Sequence, residues 1–352
     1  MRKLRIGYSP LSQDLNSPGD RRRLIFWAAN RGHEIVLDLS NKVDVLVASE
    51  NSDFNAPIFK ERKVPVVFDL VDAYLAPLNY FDDFARGLGK KFSGQISGKV
   101  KPFSHHIRDF CIQSSAVLCS SIEQQDLIQK LNRNCHIILD SHDEITFGEF
   151  SKSRLKPTIS KSILWEGQPA TLSGVKNLSS TFLELARSFD FNLDFVTDEA
   201  YFVYLNRFIR RDTLNLLKRD LKGISDRARI VPWSPENLLA RAGESSLAII
   251  PINLSIPMQR LKPENRLLIM WRLGLPCLTS PSPAYVRVSN QAGVNAVCYR
   301  PEDWLENFMH ILSDREYART QVSLGQNYLL EYHTKSMLLD KWDRAFESVL
   351  EK

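Results

Sequence analysis

Short apolar runs alternate with helical patterns along the chain, and this alternation constrains the fold more than any other feature. In the first 145 residues, strand-like runs occupy residues 4–8, 34–39, 43–48, 64–70, 115–120 and 135–139. Helical patterns at residues 19–31 and 122–131 lie between them. The strand-like runs are continuously apolar, as expected of strands covered on both faces. The pattern predicts a parallel, doubly wound α/β sheet.

The same pattern restarts after a polar interruption. Residues 147–161 are rich in Ser and Lys and carry little apolar periodicity, which is typical of a linker. Further strand-like runs follow at residues 162–165, 193–197, 230–231, 247–252 and 277–279. We therefore predict a Rossmann-like domain over residues 1–150, a linker over 151–161, a second Rossmann-like domain over 162–330 and a C-terminal helix over 331–352.

Composition narrows the class of protein. A chain of 352 residues, 43% hydrophobic and 25% charged, has room for two ordinary globular domains. Its five cysteines are odd in number and form no C-x-x-C pair, so neither a disulfide framework nor a zinc site is expected.

The net charge of +5 is mildly basic. It fits a solvated surface, and it leaves open a basic cleft for phosphates or attraction to an anionic membrane face. Basic stripes interleaved with aromatic residues are absent from the sequence, so nucleic acid is not an expected partner. The N-terminus carries no signal-peptide core, and we expect a cytoplasmic protein with peripheral attachment to the inner membrane face left open.

Several standard catalytic signatures are missing from the sequence. There is no G-x-G-x-x-G after the first strand, no P-loop, no G-x-S-x-G elbow and no H-E-x-x-H pair. A dinucleotide cofactor, a P-loop nucleotide site and a zincin-type metal site are therefore not expected.

One C-terminal block has the content of an anion site. A buried strand at residues 247–252 leads to a loop with Arg260 and Lys262, and a helix with Arg266 in its first turn follows. Ligands of open α/β sheets bind at the carboxyl ends of the strands, and helix N-termini favour anions. Lys and Arg at this position would suit a diphosphate, although plain surface roles for Arg260 and Lys262 are the alternative.

The same block resembles the donor-site helix of GT-B glycosyltransferases, in particular the bacterial group 1 or family 4-like enzymes. The resemblance rests on Lys262, Asn265 and Arg266 at the start of the helix, followed by the turn at Gly274 and Pro276. Other segments also resemble that family in order along the chain: residues 66–72, 115–121, 163–167, 229–234 and the helix around Trp342.

The resemblance implies two Rossmann-like domains facing across a cleft, with the C-terminal helix crossing back to the first. It also implies transfer of a sugar from a nucleotide-diphosphate sugar to a hydroxyl on a glycan, a lipid-linked molecule or a protein, without a metal or other cofactor. The expected setting is bacterial polysaccharide, glycan or glycolipid assembly.

The implied site residues fall into two groups. The donor-binding group is Gly167, Trp233, Arg260, Lys262, Glu264, Asn265, Arg266, Ser280 and Tyr285. The catalytic group is Asp72, Asp69 and Glu166. The cations would stabilise the leaving diphosphate, and Asp72, ahead of Asp69, would act as the base for the acceptor. A carboxylate after a strand is also often only a turn residue.

The sequence departs from the retaining branch of the family in one respect. That branch carries a Glu-x7-Glu pair, whose positions here hold Arg260 and Leu268. Ribose recognition by the second Glu therefore does not carry over, although Glu264 could replace it from a shifted position, and the stereochemical outcome stays open. The alternatives are a non-catalytic or epimerase-type GT-B protein that binds a nucleotide sugar, and a bilobed ligand-binding protein.

Overall fold

The computed structural model describes residues 2–61, 63–146, 162–203 and 209–350. The predicted linker at 151–161 lies outside these ranges. Contacts divide the chain into two units. The first unit comprises Met1–Ser141, Leu261–Pro263 and Thr334–Lys352, and the second comprises His142–Arg260 and Glu264–His333.

The first unit is built on a six-stranded parallel sheet with the order β2-β1-β3-β4-β5-β6. Its strands are β1 Arg5–Ser9, β2 Glu34–Val36, β3 Val45–Ser49, β4 Val66–Asp69, β5 Ala116–Cys119 and β6 Cys135–Ile137. Its helices are α1 Ile25–Arg31, α2 Ile58–Glu61, α3 Tyr80–Phe92, α4 Phe103–Gln113, α5 Ile122–Ile128 and α16 Lys335–Leu350. Apolar clusters cover both faces of the sheet, which explains the continuous apolar runs.

The second unit contains a five-stranded parallel sheet with the order β11-β8-β7-β12-β13. Its strands are β7 Ser162–Glu166, β8 Asn192–Val196, β11 Ala228–Val231, β12 Ser245–Ile250 and β13 Cys277–Thr279, and an antiparallel pair is formed by β9 Ala200–Val203 and β10 Ile209–Asp212. Its helices are α6 Asp143–Thr146, α7 Ser173–Lys176, α8 Ser179–Ser188, α9 Thr213–Asp220, α10 Pro235–Glu244, α11 Pro257–Arg260, α12 Asn265–Arg272, α13 Pro283–Ala292, α14 Pro301–Ser313 and α15 Arg315–Tyr332.

Local signals in the sequence set several helix ends. The Ser234 hydroxyl accepts the amide N–H of Asn237 at the start of α10, and Pro235 occupies the first helical position. Gly32 ends α1 in the left-handed region with φ of 70°, where glycine meets no steric penalty.

The last helix, α16, packs on the first sheet together with α1. Trp342 of α16 stacks on Trp27 of α1 with ring centroids 5.6 Å apart, and both rings are fully buried. The Trp27 indole N–H donates to the Asp343 carboxylate at 2.8 Å. The C-terminal segment is therefore part of the core of the first unit. Among the described helices, none is both long enough and apolar enough to cross a bilayer.

The predicted helix at residues 19–31 is interrupted. Asp20–Leu24 forms a π-helical turn before α1, and Arg23 within it has non-helical dihedrals (φ −118°, ψ −105°). The distortion accompanies full burial of the Arg23 side chain, whose Nη2 lies 2.6 Å from Asp69 Oδ1. Its Nη1 donates to the Ile138 carbonyl at 2.5 Å, and the guanidinium lies 5.9 Å from the centre of the Trp342 ring. Arg23 is therefore a core residue, although it lies in a run of three arginines, Arg21–Arg22–Arg23.

Removing either partner of the Arg23–Asp69 pair should strongly destabilise the first unit, because the remaining buried charge would lose its nearest counter-ion and Arg23 would keep, among the described residues, only Asp140 at 3.4 Å. We expect Arg23→Met and Asp69→Asn each to lower the free energy of unfolding by about 3–5 kcal/mol in urea titrations. The control is Asp340→Asn, which breaks the surface pair of Asp340 with Arg31 and should cost no more than about 1 kcal/mol. Equal small losses in all three variants would contradict this role of the pair.

Candidate functional site

The carboxyl ends of the second sheet bring several predicted residues to one edge. Because all five strands are parallel, the residues after them meet at that edge. Glu166 is the last residue of β7 and Gly167 follows it, while Trp233 follows β11 and Ser280 follows β13. This edge is where ligands bind in open α/β sheets, so we take it as the donor-side candidate site.

Glu166 and Arg266 form the centre of this edge. The Glu166 side chain is buried, and its Oε1 accepts the indole N–H of Trp233 at 3.0 Å. Arg266 Nη1 donates to the Glu166 backbone carbonyl at 3.2 Å. Within the described ranges, Glu166 Oε2 and Arg266 Nη2 are buried and have no hydrogen-bond partner. Buried polar groups are normally satisfied, so this acceptor and this donor are suited to a polar ligand.

Gly167 allows the Arg266 guanidinium to lie close to Glu166 at the end of β7. Its φ of +155° is a conformation that other residues rarely adopt. A Cβ at this position would lie 3.0 Å from Arg266 Nη1 and 3.2 Å from the Thr171 hydroxyl. Only glycine therefore leaves Arg266 in place beside the end of β7.

The start of α12 holds Arg266 from the other side. Glu264 occupies the N-cap position without a side-chain capping bond; it is buried and pairs with Arg287 at 3.4 Å. Asn265 is the first helical residue. Tyr285 of α13 is buried next to Arg266: burial raises the pKa of its hydroxyl, and the charge of Arg266 opposes that rise. The helix dipole disfavours a cation in the first helical turn. The contacts of Arg266 with the Glu166 carbonyl and with Tyr285, and not helix capping, therefore account for the position of Arg266.

Two predicted donor residues are placed differently. The Ser280 hydroxyl is buried and accepts the amide N–H of Ile252 at 2.9 Å, so it joins the loops that follow β12 and β13. Arg260 is exposed at the end of α11. Neither observation assigns a ligand to these side chains, and their donor roles stay predictions.

The carboxyl edge of the first sheet carries the two predicted bases. Asp69 ends β4 and is fully buried, and both its carboxylate oxygens accept hydrogen bonds from Arg23. Asp72 lies three residues further on with its side chain 38% exposed. Asp69 is thus committed to a buried pair in the core, whereas Asp72 is partly exposed; a role of either residue as the base stays a prediction.

Lys262 belongs to the first unit, within the short stretch Leu261–Pro263. Its ammonium lies 3.8 Å from the Asp72 carboxylate, and the Ser121 hydroxyl donates to the Leu261 carbonyl at 3.1 Å. The sequence motif treats Lys262, Asn265 and Arg266 as one group. The structure separates Lys262 from the other two by unit, and its predicted diphosphate contact stays a prediction.

Glu50 was not singled out from the sequence, although it directly follows the apolar run that becomes β3. It is buried, and its Oε2 accepts the amide N–H groups of Val71 at 3.1 Å and of Asp72 at 3.0 Å. Burial, followed by the nearby Asp72 charge, raises the pKa of Glu50 to about 8. Glu50 thereby fixes the backbone that carries Asp72. A carboxylate at the end of a buried strand was the signal that could have revealed it.

No family model and no curated protein matches the sequence. Several solved structures match the fold. A glycosyltransferase from Rickettsia africae ESF-5 has a TM-score of 0.60 at 11% identity, with 100% of both chains covered. WaaG, described as a glycosyltransferase involved in lipopolysaccharide biosynthesis, has a TM-score of 0.59 at 13% identity, covering 98% of this chain and 99% of that one.

TarM has a TM-score of 0.60 at 9% identity over 86% of this chain. The match spans only 54% of TarM, so this chain corresponds to about half of that protein's length. These likenesses, with the two parallel sheets, decide the architecture. The fold is GT-B. The predicted fold class of two Rossmann-like units is confirmed, and at these identities the likeness concerns the fold alone.

The raised pKa of Glu50 makes the stability of the GT-B protein depend on pH. Between its ordinary pKa of 4.5 and its folded pKa of about 8, the folded state holds a proton that the unfolded state releases, so stability falls as pH rises through this window. Glu50→Gln imitates the protonated form and should remove that dependence, on the order of 1–3 kcal/mol between pH 5 and pH 8.

The measurement is urea unfolding of wild type and Glu50→Gln across that pH range. The matched control is Glu61→Gln, on the short helix α2, where the carboxylate is exposed. Parallel pH profiles for wild type and Glu50→Gln would contradict the assignment.

Proposed function

We propose that the protein is a glycosyltransferase that moves a sugar from a nucleotide-diphosphate sugar to a hydroxyl acceptor. The observation that carries the proposal is the pair of buried, partnerless groups flanking Gly167, Glu166 Oε2 and Arg266 Nη2. They lie at the carboxyl edge of the second sheet, where ligands of open α/β sheets bind. A nucleotide sugar offers partners to both of them: hydroxyl donors for the carboxylate and phosphate oxygens for the guanidinium.

The chemistry follows from the charge that develops during transfer. As the glycosidic bond to the diphosphate breaks, negative charge builds on the leaving phosphate. Arg266 supplies a fixed positive charge for that phosphate. The backbone amides at the N-terminus of α12 supply further hydrogen-bond donors. Glu166 holds the sugar or ribose hydroxyls, and Trp233, fixed by its hydrogen bond to Glu166, contacts the nucleobase.

The acceptor hydroxyl needs a group that takes its proton. In the proposal Asp72 is that base, with its backbone held by Glu50. The part of the chain that the structure describes contains no group of three or more His, Cys, Asp or Glu side chains suited to a metal. The proposal assigns leaving-group stabilisation to Arg266, with Arg260 and Lys262 as further cations.

The structural neighbours support the class of substrate. A TarM structure is described in complex with UDP and a GlcNAc-glycerol, and WaaG acts in lipopolysaccharide biosynthesis. We extend this to a nucleotide sugar as donor and to a glycan, lipid-linked molecule or protein as acceptor, in polysaccharide or glycolipid assembly on the cytoplasmic side of the membrane.

One observation favours a different function. Leu268, at the position of the second Glu of the retaining pair, is buried in the core. A GT-B protein without that ribose contact could bind a nucleotide sugar without transferring it, or act on it as an epimerase. Product analysis with and without an acceptor separates these possibilities, because only a transferase gives acceptor-dependent release of the nucleoside diphosphate.

Arg266 should control donor affinity. We expect UDP, GDP, dTDP or CMP, or one of their sugars, to raise the Tm of the wild type. For that nucleotide, Arg266→Ala should weaken binding by roughly 10–100-fold, the loss expected for charged hydrogen bonds to phosphate. The matched control is Arg319→Ala, which removes an exposed arginine of the same unit. Equal calorimetric affinity in wild type and Arg266→Ala would sink the assignment.

Asp72 and Asp69 should respond differently to the same change. Asp72→Asn should lower kcat by about 10²–10⁴-fold while leaving donor affinity and stability nearly unchanged, as expected for loss of a general base. Asp69→Asn should act through unfolding, because it breaks the buried pair with Arg23. Wild-type turnover in Asp72→Asn would exclude Asp72 as the base.

A further inference from the structure

Helix α3 of the first unit exposes a row of aromatic side chains. Phe81, Phe84, Leu88 and Phe92 recur at helical spacing and share one face. Phe81 is 80% exposed, Phe92 is 82% exposed and Phe84 is 36% exposed. Tyr80, 62% exposed, stacks on Phe84 with ring centroids 6.2 Å apart. Isolated apolar residues on a surface are ordinary, but four aromatic rings on one helix form a contiguous patch.

The opposite face of α3 is fixed, so the aromatic face cannot turn inward. Asp83 is buried and accepts the amide N–H of Ser104 at 3.0 Å. Gly87 packs so closely on the segment before α4 that a Cβ would lie 2.0 Å from the Lys101 carbonyl oxygen. The helix therefore presents its rings outward as a consequence of its packing.

The surroundings of the patch are basic. Residues 80–109 contain six Lys or Arg and three Asp. Asp83 is buried and Asp109 pairs with Lys101, which leaves Asp82 as the exposed carboxylate of the helix. Lys91, adjacent to Phe92 in the last turn of α3, and Lys99, seven residues after its end, add positive charge to this segment. The patch thus combines exposed aromatics with a positive rim.

We propose that α3 docks the protein on an anionic lipid surface. Helices that lie in the membrane interface place aromatic side chains among the acyl chains and basic side chains at the headgroups. Tyr80 suits the headgroup level because its ring is apolar and its tip is polar. Charge complementarity selects this occupant over a second copy of the chain, because two copies would bring their positive rims together. The proposal does not depend on the catalytic function.

The test is sedimentation of the purified full chain with vesicles. Wild type should bind vesicles that contain phosphatidylglycerol and bind pure phosphatidylcholine at least tenfold more weakly. The triple variant Phe81→Ser, Phe84→Ser, Phe92→Ser should lose at least tenfold in binding to the anionic vesicles, because its apolar contacts with the acyl chains are removed. Lys91→Gln should weaken binding about fivefold and flatten the salt dependence.

The matched control is Phe202→Ser with Tyr299→Ser, two exposed aromatics of the second unit, which should bind like the wild type. Circular dichroism and Tm confirm that each variant is folded. Three results would overturn the proposal: wild type that ignores anionic vesicles, a folded triple variant that binds like the wild type, or a wild-type dimer that dissociates in the triple variant without any vesicle binding. None of them bears on glycosyl transfer, which is measured separately.

Discussion

The buried ion pair between Arg23 and Asp69 is the interaction on which the first unit depends. Breaking a buried pair costs more than the pair gains, and without Asp69 the Arg23 guanidinium would keep, in the described part of the chain, only the carboxylate of Asp140, at 3.4 Å. Arg23 also donates to the Ile138 carbonyl after β6 and lies against Trp342 of α16. One side chain thus connects β4, the end of β6 and the last helix of the chain. The distorted turn at Asp20–Leu24 is the backbone geometry that accompanies this burial.

The same constraint positions the candidate chemistry of the first sheet. Asp69 is committed to Arg23, so the chain that follows it is anchored, and Glu50 holds the next backbone amides to place Asp72. In the second sheet, Gly167 leaves space at the end of β7, and Arg266 occupies that space beside Glu166. At each edge one fixed group sets the position of a polar side chain: Glu50 that of Asp72, and Gly167 that of Arg266.

Much of the fold could be predicted from the sequence, because its signals are local. Continuous apolar runs located the parallel strands, and Ser234 and Gly32 are residue types that commonly cap helix ends. The site was harder to predict from the sequence, because the role of a charged residue depends on partners that are distant along the chain. Arg23 and its neighbours look like a solvated run until Asp69, forty-six residues later, is seen to pair with Arg23. Glu50 acts through backbone amides that leave no sequence pattern. Lys262 belongs to a predicted donor motif, and the sequence gives no sign that it also lies beside Asp72.

The central claim is that the edge around Glu166 and Arg266 binds a nucleotide sugar for transfer. The most direct measurement is the release of nucleoside diphosphate from a panel of nucleotide sugars, with and without hydroxyl acceptors, by wild type and by folded Arg266→Ala. The account predicts acceptor-dependent release from one donor by the wild type and a loss of roughly 10–100-fold or more in Arg266→Ala. Absence of release from every donor, or equal release by the two proteins, would contradict it.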